Sequence, residues 1–364
     1  MVDDQLVLKY IPFIAVLFYF LSVKLFVIII KVSKKRNIVL ETVDRSSHKG
    51  WCTNLGGVAI FSILIFSLSF FGALTEIGFD FRLFRSFFAA ITVLFFIGLK
   101  DDLISIANTN KILGQIMAFS IVIFLTDARF FSLEGIFGIQ QLSYFQSILL
   151  SYFAYFFIVN AFNLVDGIDG LAGSISIFTN LFFGCYFYFN NQLGQSVIAI
   201  TLLGILFAFL KFNFSNRYKV IMGDSGSLVL GFVLAFQFFN FLIFNANTPN
   251  NFFIDKSFLY LFVLFSYPIV DTTRIFFIRL KQGRSPFSAD KNHLHHALLA
   301  KGLSHGQATA CIVVVTFVLL ALAYAVRRLN INLGLPILIV MAYVLYTRVS
   351  LYRFPVTNKK VISQ

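Results

Sequence analysis

Residues 147–189 read SILLSYFAYFFIVNAFNLVDGIDGLAGSISIFTNLFFGCYFYF. Two apolar runs, 147–164 and 171–189, flank the polar junction 165–170. Each run is close to the ~20 residues that a helix needs to cross a bilayer. The pattern repeats along the chain. Candidate spans lie at 9–31, 54–72, 83–99, 112–126, 147–164, 171–189, 195–212, 226–245, 257–278, 309–326 and 331–347. Over 364 residues, 59% are hydrophobic and 12% charged, and the mean hydropathy is +0.85. Soluble domains carry about 25% charged residues and about 45–50% apolar ones. A cytosolic enzyme, a disordered chain and a small secreted scaffold are excluded. The expected fold is an all-α, polytopic membrane bundle of about eleven transmembrane helices. It forms one domain over 1–364, without tandem repeats or low-complexity linkers.

The charges orient the bundle. The first span has acidic residues upstream (Asp3, Asp4) and basic ones downstream (Lys31, Lys34, Lys35, Arg36). A cleavable signal has the reverse order. By the positive-inside rule the N-terminus is outside and, after eleven crossings, the C-terminus is cytoplasmic. The cytoplasmic segments then hold 21 of the 29 Lys and Arg, and the external ones hold 7. Arg327-Arg328, on the outside, run against the bias. The net charge of +13 is therefore an orientation signal, and no nucleic-acid partner is expected. The three cysteines (Cys52, Cys185, Cys311) offer neither a disulfide framework nor a metal pair. The 50 Phe are read as lipid-facing bulk or codon bias.

Carboxylates at membrane depth are costly and are functional candidates by default. Seven of the 16 lie in short external loops and nine on the cytoplasmic side, clustered at span ends. Asp101-Asp102 follow span three, and adjacent carboxylates repel unless a cation or proton lies between them. Asn160 and Asn163 share a helix face, and Asp166 and Asp169 repeat the spacing, each followed by glycine. Such oxygen-bearing side chains suit a hard cation or phosphates. Met222-Gly223-Asp224-Ser225-Gly226-Ser227 opens span eight with small residues, as an anion site at a helix start does. The basic loop 274–308 carries Arg284, Lys291 and His293-Leu294-His295-His296. Its histidines match no HExxH zinc spacing, so phosphate or nucleotide contact is the reading adopted. His305 is read as a plain loop residue. Asp44-Arg45-Ser46-Ser47-His48, followed by Leu55-Gly56-Gly57, adds a fifth motif on the same side. Five polar motifs on one face fit a site that meets a soluble substrate. Transporters place such residues near the midplane.

The order RSSH…LGG, KDD, NAFNLVDGIDGLAG, MGDSGS, HLHH resembles the polyprenyl-phosphate N-acetylhexosamine-1-phosphate transferases of glycosyltransferase family 4, over residues 40 to 305. The resemblance implies that a membrane polyprenyl (undecaprenyl) phosphate attacks the β-phosphorus of a UDP-HexNAc, most simply UDP-GlcNAc. Polyprenyl-diphospho-HexNAc and UMP result, with Mg2+ (or Mn2+) required. This is the first membrane step of a cell-surface polysaccharide such as lipopolysaccharide O-antigen, at the bacterial cytoplasmic membrane, with the site facing the cytoplasm. Expected partners are undecaprenyl phosphate, UDP-HexNAc and membrane lipid, with a homodimer left open.

By the same resemblance, Asp224 and Asn163 form a metal-binding pair. Asp101 and Asp102 are the catalytic pair beside Asp224, and Asp101 deprotonates the lipid phosphate or helps hold the metal. Asn160, Asp166 and Asp169 line the nucleotide and diphosphate region, and Lys111 contacts phosphate. Arg284, His293, His295 and His296 bind diphosphate or sugar, and Arg45 and His48 complete the substrate site. The active site is expected in loops 31–53, 100–111, 165–170, 211–225 and 274–308. One departure stands out. Trp51-Cys52-Thr53-Asn54 replaces the family's PxPR-like stretch, which leaves the shape of that loop open. The alternatives are the phospho-MurNAc-pentapeptide transferases of peptidoglycan synthesis and a transporter of anionic lipid or sugar phosphate. The former carry three consecutive His, whereas Leu294 interrupts the run here. A CDP-alcohol phosphotransferase would need Ala-Arg after Asp166-Gly167, which is not there.

Overall fold

A computed structural model describes residues 4–36, 38, 51–74, 80–246, 251–284 and 292–351. Arg45, His48 and Lys291 lie outside the described residues. The helices, in order, are α1 (Asp4–Arg36), α2 (Gly56–Leu74), α3 (Phe81–Leu103), α4 (Asn108–Thr126), α5 (Tyr144–Val165), α6 (Leu171–Phe189) and α7 (Leu193–Asn213). They continue with α8 (Gly223–Ala246), α9 (Ser257–Leu264), α10 (Ser266–Lys281), α11 (Leu294–Ala300), α12 (His305–Val326) and α13 (Ile331–Leu351). Among the described residues, ten helices are long and apolar enough to cross a membrane, and α9 with α10 forms a bent pair. The chain is a multi-pass membrane protein. Helices meet the demand that lipid makes on a backbone, since each satisfies its own N–H and C=O groups.

The expected ninth span, 257–278, is not one straight helix. Its halves, α9 and α10, meet at 67° around Phe265. Pro268, in the first turn of α10, has no N–H to give to the Leu264 carbonyl, so the helix cannot run through. The Thr179 hydroxyl bonds that carbonyl at 3.3 Å. Local caps set other starts: Ser143 with Gln146 begins α5, and Ser304 with Gln307 begins α12, both as capping boxes.

The most buried helices, α7 and α8, form the centre. Helices α1, α2 and α6 pack on α7, while α3 and α5 flank α8. Lipid-facing bulk such as Phe13, Phe20, Phe317 and Val340 is exposed on the outer helices. The phenylalanines do not all face lipid, however. Phe87, Phe119, Phe232 and Phe239 are fully buried across α3, α4 and α8; Phe119, Phe232 and Phe239 stack with Tyr155 of α5 and Phe87 stacks on Phe232, the Tyr155 and Phe239 centroids being 4.5 Å apart. The expectation of lipid-facing bulk therefore fails for this group, whose flat rings pack on one another between the helices.

One element breaks the all-helical pattern. Strand β1 (Trp51–Thr53) pairs in parallel with β2 (Tyr218–Val220), Cys52 opposite Lys219. The first three residues of the departing stretch, Trp51–Thr53, are therefore an ordered strand rather than a free loop. A parallel ladder joins residues far apart in sequence, so no local pattern announces it.

Candidate active site

The ladder brings three helix ends together. Ile221 N–H donates to the Thr53 carbonyl (2.8 Å), and Gly56 and Gly57 N–H donate to the Ile221 (3.1 Å) and Met222 (2.8 Å) carbonyls. The starts of α2 and α8 are thus tied side by side. The end of α3 closes on them so tightly that side chains have no room. A Cβ on Gly57 would lie 2.2 Å from the Gly226 nitrogen, and one on Gly98 would lie 2.5 Å from Ser225 Cα.

This contact decides what the two adjacent aspartates do. Asp102 turns to the start of α8: its Oδ1 accepts Asp224 N–H (2.7 Å), and its Oδ2 accepts Ser225 N–H (2.9 Å) and Ser225 Oγ–H (2.6 Å). A carboxylate at a helix N-terminus satisfies orphan donors and meets the positive end of the dipole. Asn54 secures the same turn by donating to the Asp102 carbonyl at 2.9 Å. Asp101 turns the other way. Its Oδ2 lies 2.5 Å from Lys111 Nζ, which lies 2.5 Å from Asp224 Oδ2 as well. Asn163 donates to Asp224 Oδ1 (2.9 Å) and to Ser227 Oγ (2.8 Å). Asp101, Lys111, Asn163 and Asp224 therefore come from α3, α4, α5 and α8 to one point.

The α5–α6 junction flanks this point. Burial raises the Asp166 carboxyl well above its ordinary value, and the negative charges of Asp224, Asp169 and Asp102 add to the shift. Burial would also raise Asp169, but bonds from His305 and Lys219 outweigh it and hold that carboxyl low. Lys219 Nζ lies 2.7 Å from Asp169 Oδ2, and His305 Nδ1 lies 3.0 Å from it. Thr309 donates to the Asp169 carbonyl at 3.1 Å. The plain-loop reading of His305 is thus corrected: it is the first residue of α12 and ties that helix to the junction. Its sequence neighbours carry no signal of this, because the partner lies 136 residues away. Asn160 pairs reciprocally with Gln115 (3.0 and 3.3 Å), one turn before Asn163.

The histidines form a second cluster. Asp271 on α10 holds His293 Nδ1 at 2.7 Å and caps α11 by accepting Leu294 N–H at 2.8 Å. His295 Nδ1 lies 3.0 Å from the Tyr267 hydroxyl. The other ring nitrogen of His295 abuts the junction: a Cβ on Gly167 would sit 2.5 Å from Nε2. Burial lowers the His295 pKa to about 3, so the ring is neutral. His296 is partly exposed, with its ring centroid 4.4 Å from that of His295. Arg284 stands exposed beyond α10. Sequence reasoning did not single out Asp271, Lys219, Tyr267 or Gln115 as candidates. Asp271 had a usable signal, an isolated carboxylate inside an apolar run.

A cavity of about 600 Å³ opens beside the carboxylates. Lys111, Asn160 and Asn163 stand at one end, Phe153, Phe156 and Phe157 line the α5 wall, and Thr272 and Arg279 come from α10. Phe153 is 66% exposed, so the cavity opens toward lipid. Around the convergence point, the carboxylates of Asp101, Asp102, Asp166, Asp169 and Asp224 face the ammonium groups of Lys111 and Lys219. This excess of hard oxygen donors over positive charge fits a hard divalent cation rather than a soft metal.

Comparison with known proteins follows the same residues. The model of the family described as glycosyl transferase family 4 matches residues 84–247, which span the Asp101-Asp102, Asn160–Asp169 and Asp224 motifs. The undecaprenyl-phosphate alpha-N-acetylglucosaminyl 1-phosphate transferase of Escherichia coli (strain K12) is 29% identical, over 81% of this chain and 76% of that protein. The enzyme of the same name from Yersinia pestis is 27% identical over the same shares. A decaprenyl-phosphate N-acetylglucosaminephosphotransferase of Mycobacterium leprae is 36% identical over 57% of this chain and 56% of that protein. With the motifs in order along the sequence and gathered at one end of the fold, the chain is similar to glycosyl transferase family 4 over residues 84–247.

Proposed function

We propose that the protein transfers N-acetylglucosamine-1-phosphate from a UDP-sugar to a polyprenyl phosphate, undecaprenyl phosphate in the simplest case. The products are polyprenyl-diphospho-N-acetylglucosamine and UMP. The observation that carries this reading is the convergence of Asp101, Lys111, Asn163 and Asp224 at the mouth of an aromatic cavity open to lipid. A lipid phosphate and a soluble diphosphate can meet only at such a boundary. The relatives named above act on polyprenyl phosphates with N-acetylglucosamine as the sugar. The interrupted run His293-Leu294-His295-His296 agrees with that branch rather than the muramyl type.

In this reading the polyprenyl chain lies along Phe153, Phe156 and Phe157, and its phosphate meets Lys111. A phosphate oxygen attacks the β-phosphorus of the donor. The new P–O bond forms as the bond to the α-phosphate oxygen breaks, and UMP leaves with that electron pair. Asp101 is the carboxylate placed to take a proton from the lipid phosphate. Asp224 and Asn163 would hold a divalent cation, taken to be Mg2+, with Asp166 beside them at the α5–α6 junction. When bound, it supplies charge neutralisation for two anionic reactants and for the leaving phosphate. Asp102 keeps Asp224 in place through the start of α8. Asn160, Asp166 and Asp169 line the nucleotide side, and the Asp271-oriented histidines and Arg284 bind the diphosphate or sugar; Arg45 and His48 are assigned to the same substrate from the sequence alone. The site faces the cytoplasm, with the N-terminus outside and the C-terminus inside. The reaction opens assembly of a cell-surface polysaccharide at the bacterial cytoplasmic membrane.

The test is purified protein with undecaprenyl phosphate, Mg2+ and a panel of UDP-sugars, read by mass spectrometry of the lipid product. Turnover is expected with UDP-N-acetylglucosamine, and Asp224→Ala should release no UMP. Normal UMP release by Asp224→Ala sinks the metal-site assignment. Absence of product with every donor sinks the transferase reading.

A further inference from the structure

The cations at the end of the bundle opposite the carboxylates break the chain's charge bias, and they are not evenly spread. Lys256, Arg327 and Arg328 rim one cavity of about 720 Å³. Asp255 is the acidic residue in that lining, and it is 74% exposed. The rim is built rather than accidental. Lys256 takes a left-handed backbone conformation (φ 50°), and its Nζ donates to the Arg327 carbonyl at 2.6 Å. That bond ties the start of α9 to the end of α12. The Arg327 guanidinium lies over the Tyr324 ring, 3.4 Å from its centroid, and donates to the Tyr324 carbonyl at 2.6 Å. A planar guanidinium held in this way is set for a phosphate before any ligand arrives.

The walls distinguish a lipid from a free anion. Phe182 lies on α6 and Leu320 on α12, six or seven residues inside the helix ends at Phe189 and Val326. At 1.5 Å per residue this is roughly 10 Å below the rim. The cavity therefore runs from a cationic edge at the bilayer boundary down an apolar wall at acyl-chain depth. Tyr324, 60% exposed, opens it to the surroundings of the bundle.

We infer that this cavity binds an anionic phospholipid, its headgroup phosphate held by Lys256, Arg327 and Arg328 and its chains lying along α6 and α12. Neutral lipids lack the charge to exploit the rim, and a soluble phosphate leaves the apolar wall uncovered. The inference does not rest on the transfer reaction, because none of these residues belongs to the candidate active site.

The test is native mass spectrometry of the full-length protein in detergent, titrated with phosphatidylglycerol, with phosphatidylcholine, and with phosphatidylglycerol in the presence of soluble glycerol phosphate. Phosphatidylglycerol should bind about tenfold more tightly than phosphatidylcholine. The double variant Arg327→Gln/Arg328→Gln should lose that tenfold preference while its turnover stays at the wild-type level. Arg328→Gln alone, which leaves the Arg327–Tyr324 stack in place, should lose about threefold. Equal retention of the two lipids, or an unchanged preference in Arg328→Gln, overturns the site. Full displacement by glycerol phosphate at equal concentration overturns the lipid assignment in favour of a soluble phosphate.

Discussion

Replacing Asp102 with Asn exchanges one oxygen for an NH2 group where three donors converge. The remaining oxygen can still accept from Asp224 N–H, but the new NH2 then confronts Ser225 N–H and Ser225 Oγ–H, formerly at 2.9 and 2.6 Å. A hydrogen bond to a charged group contributes about 1.5–3 kcal/mol net. A carboxylate at a helix N-terminus adds about 0.3–1 kcal/mol. The Ser225 hydroxyl can turn to accept from the NH2, so the bond from Ser225 N–H is the one lost; with that bond and the charge gone, the expected destabilisation is about 2–4 kcal/mol. The donors belong to the first turn of α8, so Asp224 shifts with them, and each 1.36 kcal/mol lost from the transition state slows transfer about tenfold. A hundredfold fall is expected. Asp101→Asn leaves the α8 cap intact. It should abolish transfer while changing stability by less than about 1 kcal/mol, because Asp224 still pairs with Lys111. With the exposed Cys185 and half-buried Cys311 replaced by Ser, heat unfolding in detergent can be followed with a thiol-reactive dye, since Cys52 is 8% exposed and becomes reactive when the β1–β2 ladder opens. UMP release gives the activity. If Asp102→Asn unfolds at the wild-type temperature yet loses transfer, Asp102 takes part in the chemistry and the capping argument is wrong.

Two further expectations follow from the histidine cluster. Asp271→Asn removes the charge that holds His293 Nδ1 at 2.7 Å. It should raise the KM for the UDP-sugar about tenfold while leaving the KM for the lipid phosphate unchanged, with a changed His293 tautomer by 15N NMR; a rise in both constants contradicts a role in donor positioning. His295 links stability to pH. Burial holds its pKa at about 3; Asp271, 3.9 Å away, opposes this, and His296, His293 and His305 reinforce it. The Tyr267 hydroxyl faces its Nδ1. The folded ring stays neutral while the unfolded chain takes up a proton below about pH 6.5, so the unfolded state binds more protons there. The His295 contribution is therefore complete above that pH and falls by about 1.4 kcal/mol per unit as the pH drops toward 3. His295→Gln should flatten this part of the profile, and an unchanged slope places the dependence elsewhere.

The sequence by itself determined the class of fold and the address of the site. Runs of about 20 apolar residues can satisfy their backbones in lipid only as helices, so composition and length were enough to locate ten of the eleven expected spans, while the break in the ninth at Phe265 was not legible. Carboxylates are costly at membrane depth, so Asp101, Asp166, Asp169 and Asp224 stood out against a chain with 12% charged residues. Relationships across sequence were not legible. Nothing in Asp101-Asp102 says that one side chain meets Lys111 and the other caps α8, because that division comes from Gly57 and Gly98 letting three backbones touch. Nothing in Trp51–Thr53 announces a strand, because its partner begins at Tyr218. His305 looked ordinary, and Arg327-Arg328 looked like an exception to a charge rule. Only the packing of α12 against the α5–α6 junction and against the start of α9 gave His305 and the Arg327 carbonyl their partners, since hydrogen bonds and ion pairs act over a few ångströms of space and not over distance along the chain.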